Sequence, residues 1–263
     1  MRALRWLRRL LALGLLGWLG LCAALYFAQD HLLFPAPPVA RTPERGAVVR
    51  VPGGTAFLWL PPPTPDAPVV VHFHGNGGQI ADELWLGDPV QAAGLGFAAV
   101  EYPGYAGVPG APSETALIDA GRAALVYLQD TMGIPSARVA LVGHSLGTGV
   151  ALALAAEGRG ARLLLLAPYT AITDAAAERY PYAPVRLLAK NPFDSLARAP
   201  RVTVPTLILH GEADQTIPIA QGRALAAALP HARFLAVDAG HQPWDAPAGR
   251  EAALIFLSGD SAL

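Results

Sequence analysis

The chain has 263 residues, a formal net charge of −1 and only 15% charged side chains, which leaves no basic field for nucleic acid and excludes that class of partner. Its length suits one α/β-sized core with a short appendage. Hydrophobic residues make up 53% and mean hydropathy is +0.36, so some stretch must be membrane-embedded or very deeply buried, and the single cysteine, Cys22, excludes an internal disulfide and a Cys-rich zinc site.

Arg2, Arg5, Arg8 and Arg9 precede an uncharged apolar run from Leu10 to Phe27, with Asp30 the first acidic residue after it. Eighteen helical residues rise about 27 Å, close to a bilayer's hydrocarbon thickness and longer than the apolar region of a cleavable signal. The pattern predicts a signal-anchor over residues 1–28. A cleavable signal would use the small residues Cys22-Ala23-Ala24 or Ala28, and Leu21 before Cys22 argues against a lipoprotein. Arginines held on the cytoplasmic side would make this a single-pass anchor with everything after Phe27 extracytoplasmic, which is periplasmic in a Gram-negative bacterium.

Residues 29–46 read as a proline-rich spacer, and residues 47–263 as the globular domain. Short apolar runs at 47–51 and 56–60 predict a hairpin. Buried-type strands follow at 69–73, 97–102, 139–142, 163–167, 206–210 and 234–237, alternating with helical stretches at 80–93, 114–132, 146–156, 220–229 and 250–257. Such alternation implies a mostly parallel twisted sheet with helices on both faces, because parallel neighbours need a crossover. The longest interruption, about 169–204, is the expected cap. Its Tyr180, Pro181, Tyr182, Leu187, Leu188 and Phe193 would either line an acyl pocket or pack onto the sheet.

Gly143-His144-Ser145-Leu146-Gly147 lies where an apolar strand meets a helix start, the setting of a nucleophile elbow that exposes Ser145. Read alone, the pentapeptide could also be a small-residue helix start. A serine hydroxyl needs a base, and His241, after the last strand, stands where hydrolases of this order carry it; His231 reads as exposed at a helix end. The acid that orients the imidazole should follow the preceding strand, which points to Asp214. Glu212 is a nearby rival and Asp238 a fallback, whereas Asp174 and Asp194 read as caps of helices or turns. The glycine-rich turn His74-Gly75-Asn76-Gly77-Gly78 brings backbone N–H groups within reach of a substrate oxygen, with Asn76 and Leu146 the expected oxyanion donors. A phosphate-cradling loop is the rival, but its Gly-x-x-x-x-Gly-Lys signature is absent and the one lysine, Lys190, is remote.

Taken in order, His31-Leu32-Leu33-Phe34-Pro35, HGNGG at 74–78, EYPGY at 101–105, GHSLG at 143–147, HGEAD at 210–214 and GH at 240–241 resemble the membrane-anchored α/β-hydrolases of the BEM46 and ABHD13-like group. The resemblance implies an α/β-hydrolase fold with a small cap and an N-terminal transmembrane helix. It also implies a Ser145, Asp214, His241 triad, an oxyanion hole from Asn76 and Leu146, and neither metal nor organic cofactor. The stretch Ala106-Gly107-Val108-Pro109-Gly110 departs from the Gly-x-Ser pattern of that group, so substrate preference does not carry over.

The expected activity is cleavage of a carboxylic ester or thioester through an acyl-enzyme, on a small-molecule or lipid-like acyl substrate. Two alternatives stay open: acyl transfer to another alcohol with the same residues, and a catalytically silent ligand-binding module on the same fold.

Overall fold

The computed structural model describes residues 2–259. Helix α1 (Arg2–Leu33) is 32 residues long, about 48 Å at the usual rise, and is long and apolar enough to cross a membrane. Its leucines and Phe27 are largely exposed. The helix passes through residues 29–33, where a spacer is expected, because the first proline stands only at Pro35 and the last turns have partners. Gln29 Nε2 donates to Leu188 O at 3.1 Å and Asn191 Nδ2 donates to Asp30 Oδ1 at 3.0 Å.

Strands β1 (Ala47–Arg50) and β2 (Ala56–Leu60) form the expected antiparallel hairpin, and β2 continues antiparallel onto β4 (Gly96–Glu101). The remaining strands, β3 (Val69–Phe73), β5 (Val139–His144), β6 (Arg162–Leu166), β7 (Thr206–Gly211) and β8 (Ala232–Val237), run parallel. The order among the described residues is β1-β2-β4-β3-β5-β6-β7-β8.

The helical stretch expected at 80–93 is interrupted. A 3-10 turn (Ile80–Asp82) precedes α2 (Leu84–Ala92), and at the joint Glu83 turns its carboxylate inward, accepting from His72 Nε2 at 2.8 Å and from Trp85 Nε1 at 2.9 Å. Helices α3 (Glu114–Asp130) and α4 (Leu146–Ala156) follow as expected, α3 capped by Ser113, whose hydroxyl accepts from Ala116 N. Between β6 and β7 lie α5 (Ile172–Arg179), α6 (Val185–Leu188) and α7 (Ser195–Arg198); α8 (Ile219–Ala228) and α9 (Pro247–Ser258) complete the chain.

Side chains alternate across the pleat. Val69, Val71, Phe73, Leu163 and Leu165 pack with Leu117, Leu154 and Leu225 of α3, α4 and α8 on one face. Val70, Leu164 and Leu166 pack with Leu86, Val90 and Leu257 of α2 and α9 on the other. Every residue of β3 and β4 is buried, so these strands read as apolar runs broken only by the buried, paired His72 and Glu101. The 167–205 segment divides in its packing. Phe193 is fully buried and stands 6.4 Å from the ring of Phe34, whereas Tyr182 and Leu187 are exposed.

Candidate active site

The carboxyl ends of β3, β5, β7 and β8 converge on one edge of the sheet, where open α/β folds gather their functional loops. Ser145 occupies the turn between β5 and α4 with φ 50° and ψ −118°, a conformation that costs about 1–3 kcal/mol for a residue with a side chain. The surroundings enforce it. A Cβ on Gly147 would come within 2.0 Å of Phe73 O, and one on Gly143 within 2.5 Å of Gly147 O, so only glycine lets the turn pack against β3. Ser145 N donates to Leu166 O at 2.9 Å, which pins the turn to β6 as well.

His241 reaches this serine from the loop after β8. Its Nε2 lies 2.9 Å from Ser145 Oγ, and its Nδ1 lies 2.8 Å from Asp214 Oδ2. With Nδ1–H donating to the carboxylate, Nε2 is left free to accept the serine proton. Asp214 is fixed from its other oxygen, since Thr216 N and Ile217 N donate to Oδ1 at 2.8 and 3.0 Å. His210, fully buried, donates from Nε2 to Ile217 O at 2.9 Å, and the same nitrogen stands 3.4 Å from Asp214 Oδ2. Burial alone would raise the Asp214 carboxyl, but hydrogen bonds from His210, His241 and Ile217 hold it well below the usual carboxylate range.

Asp238, Glu212 and His231 are exposed. Asp194 caps α7 by accepting from Ala197 N, and Asp174 in the first turn of α5 accepts from Thr170 Oγ1 and pairs with Arg186, as their sequence positions suggest. The structure thus brings Ser145, His241 and Asp214 into one hydrogen-bonded line and leaves the rivals outside it.

The 74–78 turn lies against Ser145: a Cβ at Gly75 would sit 3.6 Å from that of the serine. Gly75 O accepts from His74 Nδ1 at 2.8 Å and from Gly78 N at 3.2 Å. Because the peptide is planar and trans, this anchored carbonyl sets the opposite direction for the N–H of Asn76. Tyr105 Oη holds the next carbonyl, donating to Asn76 O at 2.8 Å. The Leu146 N–H is at the start of α4, where helical N–H groups lack intrahelical acceptors and the helix dipole favours negative charge.

Two histidines under these loops differ in charge preference. Burial is the strongest single influence and pulls the His74 imidazole down, but the Glu101 carboxylate 3.1 Å from its Nε2, the charge of Glu83 and the bond to Gly75 O together raise it. His144, packed edge-on to Trp85 and beside His241, is lowered to about 4 by burial and by the charge of His241. Its Nε2–H donates to His241 O at 3.3 Å, linking the residue before Ser145 to the loop that carries His241. The positioning roles of Tyr105 and His144 depend on contacts between distant segments, and those of His210 and the 216–217 amides on how the loop after β7 folds back on Asp214. Their only mark in the sequence was the inclusion of His210, Tyr105 and His144 in the HGEAD, EYPGY and GHSLG runs.

Residues 63–174 match the family model described as an alpha/beta hydrolase of unknown function (DUF1057). An uncharacterized protein of Mycobacterium tuberculosis is 34% identical over 171 residues, 65% of this chain and 61% of that protein. Protein bem46 of Schizosaccharomyces pombe is 27% identical over 170 residues, covering 62% of this chain and 57% of that one. The matched region therefore spans about three-fifths of these relatives' own length. The Pyrococcus furiosus esterase Pf2001 superposes with a TM-score of 0.65 at 16% identity, covering 85% of this chain and 96% of the esterase. At that identity the likeness is one of fold. The similarity to bem46 bears out the resemblance drawn from the sequence motifs.

Proposed function

We propose, on the premise that this chain is an α/β-hydrolase in fold and kinship, that it is a membrane-tethered serine hydrolase of carboxylic or thioesters. The supporting observation is the line Ser145 Oγ, His241 Nε2, His241 Nδ1, Asp214 Oδ2, with links of 2.9 and 2.8 Å.

In this reading Ser145 Oγ attacks the ester carbonyl carbon as His241 Nε2 takes its proton, and Asp214 stabilises the imidazolium. The oxyanion is held by the N–H groups of Asn76 and Leu146. The carbon–oxygen (or carbon–sulfur) bond breaks as His241 returns the proton to the leaving group. Water then attacks the acyl-enzyme, giving its proton to His241, and Ser145 is released with free acid. Ser145 is only partly buried, and the His241 side chain is 28% exposed. Water access of this kind favours hydrolysis over transfer to another alcohol.

Helix α1 serves as a retained anchor, since cleavage at Ala24 or Ala28 would remove the Trp18 Nε1 to Tyr182 O bond of 2.8 Å. Arg2, Arg5, Arg8 and Arg9 put its first turns in the cytoplasm and the catalytic domain on the opposite side. The test is labelling of the detergent-solubilised full chain with a fluorophosphonate. Wild type should label, and Ser145→Ala and His241→Ala should not. Folded wild type that stays unlabelled would refute the hydrolase reading in favour of a silent binding module.

A further inference from the structure

A cleft separates the last turns of α1 from α5 and α6. Its α1 wall is made by Leu25, Tyr26 and Leu32 and its opposite wall by Ile172, Ala176 and Leu188. Gln29, Thr173 and Asn191 supply its polar fringe. Of the fringe, Asn191 is tied into the domain: its Oδ1 accepts from Glu114 N at 2.8 Å, and the Glu114 carboxylate accepts from Phe193 N at 2.7 Å. Phe193 in turn packs where a Cβ on Gly149 of α4 would meet its ring at 2.9 Å. Tyr169, three residues before Ile172, donates its hydroxyl to Leu146 O at 3.0 Å. The cleft and the nucleophile turn therefore share the base of the same insertion.

The position along α1 identifies the occupant. Leu25 and Tyr26 lie in the last turn of the apolar run Leu10 to Phe27, a run about 27 Å long that fills the hydrocarbon layer. Gln29 and Asp30 come about one turn later, at headgroup depth. Trp18 in mid-run bonds Tyr182 O, so the 180–188 segment lies alongside the membrane-crossing part of the helix. Its Tyr182 and Leu187 are 53% and 86% exposed, which costs little in lipid and is unfavourable in water, while Arg186 in the same segment is paired with Asp174 at 2.7 Å. Lys190, over the Tyr26 ring at 4.7 Å and 3.1 Å from Asp30, marks the boundary with its charge. A mostly apolar cleft beside the end of the membrane-crossing run, with few polar groups in its lining, matches one chemistry, an acyl chain entering from the bilayer.

We propose that this cleft holds the hydrocarbon chain of a bilayer-resident ester, tail toward Leu25 and ester toward Thr173 and Asn191, and that long-chain membrane lipid esters are the substrate class of Ser145. This rests on the hydrolase reading for the chemistry, whereas the chain-binding site stands independently of it. The test uses the full chain in phosphatidylcholine vesicles doped with a phosphatidylcholine whose hexadecanoyl chain ends in a diazirine. Photolysis should attach the probe to peptides covering 25–33 and 172–189, and Ala176→Trp, which fills the cleft, should reduce that yield at least tenfold. In the same variant the ratio of kcat/KM for a hexadecanoyl ester to that for a butanoyl ester should fall at least tenfold. Leu188→Gln is the second variant if Ala176→Trp fails to fold, with the same expected direction.

Attachment spread along α1 with none in 172–189, or an unchanged chain-length ratio in both variants, would overturn the proposal. Attachment in the cleft together with wild type unreactive toward a fluorophosphonate would support the chain site while refuting the hydrolase reading.

Discussion

Replacing Asp214 by Asn tests the proposed proton path at the atom where it is most constrained. The Asn carbonyl oxygen must take the Oδ1 position, because Thr216 N and Ile217 N donate there at 2.8 and 3.0 Å and an NH2 group would leave both unpaired. The amide NH2 then faces His241 Nδ1, which must become an acceptor, so the ring proton moves to Nε2. With a proton already on Nε2, His241 cannot take one from Ser145 Oγ. The fold should survive, since the backbone bonds are kept, while kcat falls by about 10⁴, as for the same change in the serine-protease template. That corresponds to about 5.4 kcal/mol of transition-state stabilisation. The assay is steady-state hydrolysis of a p-nitrophenyl ester beside Asp238→Asn, whose side chain is exposed and whose activity should stay near wild type. Asp214→Asn within tenfold of wild type would refute the assignment of Asp214, and a large loss in Asp238→Asn alone would transfer the role to Asp238.

Three further outcomes are expected. His144 sits at about 4 when folded against an ordinary value of 6.5, so between those values the unfolded chain binds more protons and acidification destabilises the native state. The slope should approach at most ~1.4 kcal/mol per pH unit, and urea unfolding from pH 8 to pH 4 should show it flattened in His144→Asn. Gly147→Ala would drive a Cβ to 2.0 Å from Phe73 O, whereas Gly77 has nothing within 4 Å; thermal melts should show the first variant destabilised by more than about 4 kcal/mol or unfolded and the second within about 0.5 kcal/mol of wild type. Tyr105→Phe removes the 2.8 Å bond to Asn76 O, a bond worth ~1 kcal/mol, and should lower kcat about fivefold with KM little changed in steady-state kinetics.

Local rules made much of this legible. Strands β3 to β7 are short apolar runs buried on both faces, and period and length alone place them within a residue or two. The nucleophile turn was legible because its glycines answer to steric demands that leave no substitute. What the sequence did not reveal was anything decided between distant segments. Glu83 breaks a helical pattern because His72 draws its carboxylate inward, and no local preference encodes that. The first five residues of the spacer, 29–33, became helix, with Gln29 and Asp30 accepting bonds from residues about 160 positions away. Among the apolar residues of the 169–204 insertion, hydrophobicity alone could not separate Phe193, which joins the core, from Leu187, which faces outward. In the candidate site, residue type and chain order sufficed to choose Ser145, His241 and Asp214. His210 and the 216–217 amides depend on how the loop after β7 closes.

The Ser145 turn is held from three sides at once: glycines fitted against Phe73 O of β3, an amide bond to Leu166 O of β6, and a base carried 96 residues further along the chain. None of these supports exists in a partly folded chain, and without them a serine backbone relaxes out of positive φ. If Ser145 is the nucleophile proposed above, its reactivity is a readout of completed tertiary structure. A growing or misfolded chain carries an ordinary hydroxyl, and on the reading proposed here the fraction of molecules that take a covalent probe counts the finished molecules in a sample.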